Sequence, residues 1–210
     1  MTLEKFLSTL TEAKKQRLED LGFTPEEFVD AYDEHSYDYE TGNPAVYCGT
    51  YGKYNGAGEN ALFGQWLDLS TFDDADEFFT YCQALHADEP DPELMMQDYE
   101  NFPREMYDEC MGAQQFDSIK EYFELCERYD RDAVDAYANI FGCNDFDNFD
   151  DKYVGHWDSE EDFAEHIVWE CYDLRNVPEL VKYHIDYEAI ARELFMCDYN
   201  YEDGYVFNNY

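Results

Sequence analysis

Ala45-Val46-Tyr47-Cys48-Gly49-Thr50-Tyr51-Gly52-Lys53-Tyr54, then Asn55-Gly56-Ala57-Gly58-Glu59, then Ala61-Leu62-Phe63-Gly64-Gln65-Trp66-Leu67-Asp68-Leu69: two runs rich in Tyr, Val, Trp and Leu flank a Gly-rich pentapeptide. This pattern reads as two β-strands, 45–54 and 61–69, joined by a turn. Downstream, helical spacing runs from about Asp73 to His86, and Glu89-Pro90-Asp91-Pro92 breaks it. Residues 93–100 read as a third strand returning to the hairpin. Upstream, Leu3, Phe6, Leu7 and Leu10, then Leu18 and Leu21, follow helical spacing up to Gly22, which suits a C-terminal cap. Thr24-Pro25-Glu26-Glu27 offers a capping box with Pro at the first helical position, and Ser36 to Pro44 reads as a linker.

The rest of the chain is mixed. Residues 104–142 read as two or three short helices, carried by Phe116, Ile119, Phe123 and Cys126, then Val134, Tyr137 and Phe141. An acidic loop, 144–151, leads to a strand at 153–157. Asp158-Ser159-Glu160-Glu161 reads as a second capping box for a helix reaching about Leu174. Asp186 is placed as N-cap of a helix over 187–197, and Tyr205-Val206-Phe207 as a closing strand. The class is α+β, divided as an N-terminal helical extension over 1–40 and three parts over 45–103, 104–143 and 144–210.

Charge is the second strong signal. The chain of 210 residues carries 51 Asp plus Glu against 13 Lys plus Arg, a formal net charge of −38. Phosphates are bound through Lys and Arg, so this balance speaks against direct binding of nucleic acid and against docking on anionic membranes. No run of ~18 apolar residues is present, and Met1 to Phe6 shows no apolar signal core, so the expected location is the cytoplasm. High charge often means disorder. Here 20 Tyr, 16 Phe and 3 Trp outnumber Leu, Ile and Val combined, and each buried ring removes roughly 150–250 Å² from water. The expectation is a folded aromatic core under a negative shell.

The helices show how that shell is built. At 100° per residue, Asp158, Glu161, Asp162 and Glu165 share one side, with Phe163, Ile167, Cys171 and Leu174 opposite. The helix at 73–86 repeats the plan: Asp73, Asp76 and Glu77 oppose Phe78, Cys82 and Leu85. Carboxylates four residues apart advance ~6 Å along a helix axis, whereas each DNA strand presents a phosphate every ~3.4 Å. A row of such acids approximates a row of phosphates with alternate members missing. The charge of −38 equals that on ~65 Å of duplex, about 19 base pairs. Such a surface attracts proteins that bind DNA. A generic solvated shell and salt adaptation also give many acids, but neither accounts for the aromatic load.

Signals for catalysis or metal binding are weak. Seven cysteines lie far apart, with no CxxC and no zinc spacing; they read as reduced thiols, mostly small core fillers. Gly56-Ala57-Gly58-Glu59-Asn60-Ala61 fits the loose dinucleotide pattern but lies between strands, not before a helix. Asp198 to Gly204 imitates the start of a calcium loop, with its Gly at the wrong place and no Glu at the last position. His35, His86, His156, His166 and His184 read as structural. Carboxylate pairs suited to glycoside hydrolysis arise by chance among so many acids. The reading is of a protein without catalytic residues, metal or cofactor.

Several blocks resemble one family. Val46-Tyr47-Cys48-Gly49-Thr50-Tyr51-Gly52-Lys53-Tyr54-Asn55 and Gly64-Gln65-Trp66-Leu67-Asp68-Leu69 resemble the start of the ArdA antirestriction proteins. The likeness continues through Asp76-Glu77-Phe78-Phe79, Glu89-Pro90-Asp91-Pro92-Glu93, Gln97-Asp98-Tyr99-Glu100, Tyr153-Val154-Gly155, Asp158 to Ala164, Ile185-Asp186-Tyr187-Glu188 and Asp203-Gly204-Tyr205-Val206-Phe207. It spans about residues 45–210. The resemblance implies an elongated, three-part α+β homodimer whose acidic surface imitates bent DNA and which blocks Type I restriction-modification enzymes, evading a host defence. The family's antirestriction motif then falls loosely on Phe141 to Asp151, which adds Asp145, Asp147, Asp150 and Asp151 to the DNA-mimicking carboxylates. The competing reading is an acidic interaction module or chaperone for a basic DNA-binding protein. Residues 1–40 have no counterpart in the resemblance.

Overall fold

The computed structural model describes residues 11–56, 62–144 and 146–210. Two compact units form, one ending at Glu124 and the other beginning at Leu125. The class is α+β: helices accompany two separate three-stranded antiparallel sheets. Leu3 to Leu10, the tip of the first hairpin and Asp145 lie outside the described residues.

In the first unit, α1 (Glu12–Asp20) ends in a Schellman motif. Gly22 N–H donates to Glu19 O and Phe23 N–H to Leu18 O, with Gly22 at φ +89° where a side chain would be strained. Thr24 caps α2 (Pro25–Glu34), with the reciprocal Glu27 bond of a full capping box. Strands β1 (Ala45–Thr50), β2 (Gln65–Asp68) and β3 (Leu94–Glu100) form a sheet in the order β2-β1-β3. The expected third strand therefore returns to the hairpin. The first strand is shorter than its pattern suggests. Thr50 Oγ1 accepts from Lys53 N–H and turns 51–55 into a one-turn helix, α3 (Tyr51–Asn55). The second strand starts only at Gln65.

Helix α4 (Ala75–Leu85) covers the sheet face that carries Val46, Cys48 and Leu67. Its Phe78, Cys82 and Leu85 are buried, as their spacing requires. Rings fill the space. Phe28 stacks on Tyr81 at 5.7 Å, His35 on Phe72 at 3.9 Å and Phe78 on Phe116 at 5.0 Å. The Tyr81 hydroxyl donates to Gln65 Oε1 at 2.6 Å, and Gln65 Nε2 donates to Tyr32 O and Ser36 Oγ, both at 2.8 Å. These bonds fasten α2 to β2 and α4. The stretch read as a linker also docks: Ser36 bridges Leu67, Tyr37 N–H donates to Trp66 O, and Asp68 N–H donates to His35 O. Backbone pairing along β2, set by long-range contact, overrides its loop-like composition.

Helix α5 (Ala113–Arg128) spans the boundary between units, and α6 (Arg131–Phe141) follows, stopped by Gly142 at φ +96°. The second unit contains α7 (Phe149–Lys152), β4 (Tyr153–His156), α8 (Glu160–Cys171), α9 (Glu179–Lys182), α10 (Tyr187–Cys197), β5 (Tyr199–Glu202) and β6 (Tyr205–Asn208), with its sheet in the order β4-β6-β5. The segment that imitates a calcium loop is the β5–β6 hairpin. Its turn residues Asp203 and Gly204 both have positive φ, +49° and +94°, as a type I′ turn requires. The core is again aromatic: Phe149 and Phe207 are fully buried, Tyr137 nearly so, and Phe163 packs on Trp157 at 4.8 Å.

Candidate partner-binding surface

The acidic faces follow from helix capping and burial. On α4, Asp74 is the N-cap: its Oδ1 accepts from Glu77 N–H at 2.9 Å, while Glu77 Oε2 accepts from Asp73 N–H at 2.6 Å. The first-turn acids complement the helix dipole there. Phe78 and Cys82 point inward, so Asp73, Asp76 and Glu77 are all exposed. Lys120 is the nearby cation, and its ammonium is spent on backbone, donating to Phe72 O at 2.5 Å and Asp73 O at 3.1 Å.

Helix α8 carries the second acidic row. Its cap is displaced by one residue from the expected box. Ser159, not Asp158, is the N-cap, accepting from Asp162 N–H at 3.1 Å and donating to Asp162 Oδ2 at 2.7 Å. Both residue types cap well, and the Ser159 register buries Phe163, Ala164 and Val168. Asp158, Glu161, Asp162 and Glu165 are exposed together. The inner face departs from expectation at its end. Helix α8 stops at Cys171, which is exposed, and Leu174 lies beyond it in a 3-10 turn, half-buried. Cys110 and Cys197 are exposed too, whereas Cys48 and Cys82 are buried. Core filling thus describes only part of the cysteine set.

The third group lies before β4. Asp147, Asp150 and Asp151 are exposed. Asp150 is already engaged: Arg128 Nη2 donates to its two oxygens at 2.8 and 2.7 Å, and Tyr129 donates at 2.5 Å. Arg128 and then Tyr129 hold this carboxyl below its usual range. By contrast, among the described residues Asp73, Asp76, Glu77, Asp151, Asp158, Glu161, Asp162 and Glu165 make no ion pair with Lys or Arg. The few cations are mostly taken up locally, as in Arg175–Asp173, Lys182–Glu179 and Arg192–Glu188.

One polar cluster escapes the sequence reading. Lys53 is buried, and its Nζ donates to His86 Nδ1 and Asp88 Oδ1, each at 2.7 Å, with Glu89 Oε1 at 3.4 Å. Thr50 Oγ1 donates to the same Glu89 oxygen at 2.7 Å. Ligand atoms of His86, Asp88 and Glu89 lie within 4.8 Å of one another, close enough to hold a cation. The protein's own ammonium takes that place, so the trio acts as a clamp on Lys53. The compact spacing His86-Ala87-Asp88-Glu89 was its one legible signal.

Fold and composition together define an acidic α+β protein. Helices α4 and α8 bury rings on one side and present exposed carboxylates on the other. The chain belongs to the ArdA antirestriction protein family, whose model matches residues 46–207. That membership supports an antirestriction function and an interaction with restriction enzymes. A search of curated proteins gives no match. The match begins at the second residue of β1, so α1 and α2 lie outside it.

Proposed function

We propose that this protein inhibits Type I restriction-modification enzymes by occupying their DNA-binding groove. Carboxylates would take the positions of phosphates, the enzyme's Lys and Arg would bind them, and binding would compete with DNA. The observation that supports this reading best is the row Asp158, Glu161, Asp162 and Glu165: exposed, lacking Lys or Arg partners among the described residues, with the last three on the first two turns of α8 and Asp158 just before its N-cap. Ordered charge of this kind suits competition with a duplex better than a chaperone role, for which diffuse charge suffices. Asp73, Asp76, Glu77, Asp147 and Asp151 extend the set, and Asp145 joins it from the sequence. We place the protein in the cytoplasm, with no nucleic acid or membrane as direct partner.

We also propose a homodimer. Two copies at −38 each repel, so self-association needs a neutral contact. Between Cys171 and Ile185 the only acids, Asp173 and Glu179, are paired with Arg175 and Lys182, and Tyr172, Leu180, Val181 and Tyr183 are exposed there. A second copy of this chain suits that window.

The test is titration of the protein into Type I enzymes bound to labelled target DNA. Displacement near stoichiometry, weakening steeply as salt rises, is the expected result. Binding unchanged between low and high salt removes the electrostatic reading, and capture of basic DNA-binding proteins without DNA competition favours the chaperone.

A further inference from the structure

The first sheet has a second face, turned away from α4. Its residues alternate with the buried Val46, Cys48 and Leu67. The register Trp66↔Tyr47↔Asp98 crosses β2, β1 and β3 in one row, and Asp68↔Ala45↔Glu100 forms another. Tyr37 N–H donates to Trp66 O, so the segment along β2 widens the sheet, and Tyr37 and Tyr39, two residues apart, both reach the Trp66 ring. The Tyr37 and Tyr39 rings lie 4.8 Å apart, each is 6.1 Å from Trp66, and Tyr47 meets Trp66 at 5.7 Å. Polar bonds hold two of these rings: Asn101 Nδ2 donates to the Tyr37 hydroxyl at 2.7 Å, and the Tyr47 hydroxyl donates to Leu62 O at 3.1 Å. Tyr39 is 63% exposed, and Trp66 and Tyr47 are half-buried, so ring surface reaches solvent.

The surroundings are negative. Asp98 and Glu100 are exposed and make no ion pair among the described residues. Asp68 is buried with neutral donors, Asn43 Nδ2 at 2.8 Å and Ser70 N–H at 2.9 Å. The faces of aromatic rings also carry negative potential and attract cations. Elsewhere the chain's own cations meet that attraction: Arg104 lies over Tyr107 at 5.0 Å and Lys152 over Phe141 at 4.5 Å. Among the described residues no cation lies over Tyr37, Tyr39, Tyr47 or Trp66. Charge complementarity therefore calls for a cation from another molecule. A guanidinium fits better than an ammonium: it is planar and weakly hydrated, stacks on rings, and offers a fork of N–H donors to a carboxylate.

We propose that Tyr37, Tyr39, Tyr47 and Trp66, with Asp98 and Glu100 beside them, form a docking site for an arginine side chain of a basic partner protein. The guanidinium lies on the exposed ring surface, and its N–H groups donate to a carboxylate at the rim. Rows of carboxylates alone attract Arg and Lys alike, whereas this site tells them apart. The basic character of the partner follows from the charge on this face, so the inference stands apart from the restriction-enzyme reading.

The test is an NMR titration of the full chain with two short blocked peptides, one alternating Gly with Arg and the other Gly with Lys. The chain has 3 Trp, and Trp66→Phe identifies the Trp66 indole signal by its loss. The Arg peptide is expected to shift that signal saturably and to bind there about two- to fivefold tighter than the Lys peptide. Tyr39→Ala, at an exposed position, should remove the preference and leave the affinity for the Lys peptide unchanged. Equal affinities at Trp66, or shifts confined to the other indoles, overturn the proposal. A Trp66 shift that follows protein concentration without peptide assigns the face to a second copy and also overturns it. No restriction enzyme enters this titration, so its failure leaves DNA displacement unaffected, and failed displacement leaves the arginine preference standing.

Discussion

Arg128 donates through one nitrogen to both carboxylate oxygens of Asp150, at 2.8 and 2.7 Å. In a chain with so few cations, this pair sets Asp150 apart from the carboxylates of the candidate surface that have no Lys or Arg partner. Asp150→Asn is therefore expected to change affinity for a restriction enzyme by no more than about twofold, as befits an exposed pair. Arg128→Gln should raise the Asp150 carboxyl towards its ordinary titration range, with the Tyr129 hydrogen bond keeping part of the depression, read by carbon NMR. The depressed carboxyl contributes its full stability above its unfolded-state value, and that contribution is lost progressively as pH falls from there through the folded value.

Asp158→Asn, Glu161→Gln and Glu165→Gln together are expected to weaken inhibition on the order of tenfold and to flatten its salt dependence. Asp162 is kept in this variant because it takes part in the Ser159 cap. Circular dichroism should match the parent. Equal inhibition by the triple variant would place the partner elsewhere on the surface.

The N-terminal helices are expected to behave as part of the first unit's core. Phe28 is fully buried on Tyr81, so Phe28→Ala should cost about 3–5 kcal/mol in urea unfolding. Tyr81→Phe leaves Gln65 Oε1 without its donor and should cost about 1–3 kcal/mol.

Gly204→Ala is expected to destabilise the second unit by about 1–3 kcal/mol. The turn needs φ +94° there, and an added Cβ would meet His156 Nε2 at 2.5 Å. Thermal unfolding measures the loss, and Asp203→Gly serves as the tolerated control.

Leu180→Glu with Tyr183→Glu should yield a monomer in sedimentation at concentrations where the parent is dimeric, with unchanged circular dichroism. A parent that is monomeric throughout removes the homodimer reading.

What the sequence made legible is local. Asp186 caps α10, Thr24 and Gly22 bracket the N-terminal helices, and the apolar stripe of α4 is buried as its spacing requires. These features are fixed within one or two turns of chain. Misjudged features depend on partners far away. The Tyr-rich run 51–54 suits a strand, yet Thr50 and the buried Lys53 clamp turn it into a helix. Ser36 and Tyr37 have the composition of a loop, and only β2 gives them a pairing role. Asp76 and Glu77 on α4 and Glu161, Asp162 and Glu165 on α8 were legible as exposed acids because helix period sets them, whereas Asp73 and Asp158 stand before the N-caps. The neutralisation of Asp150 was not, since Arg128 stands on another helix.

Residues 35–37 along β2 have a further consequence. An outer strand with free backbone groups is a template for strand addition, and this chain, 19% aromatic, would make a cohesive partner for itself. On one side Ser36 and Tyr37 occupy that template, and on the other Met96 N–H is taken by Glu109 O. Mutual repulsion of the acidic shells gives the same protection from a distance, but it fades near the isoelectric point of about 4.1 or in strong salt. The edge covers do not titrate. Colloidal behaviour in acid is thus governed by geometry after electrostatics has gone: precipitation near the isoelectric point should be amorphous and redissolve at neutral pH, instead of maturing into cross-β fibrils.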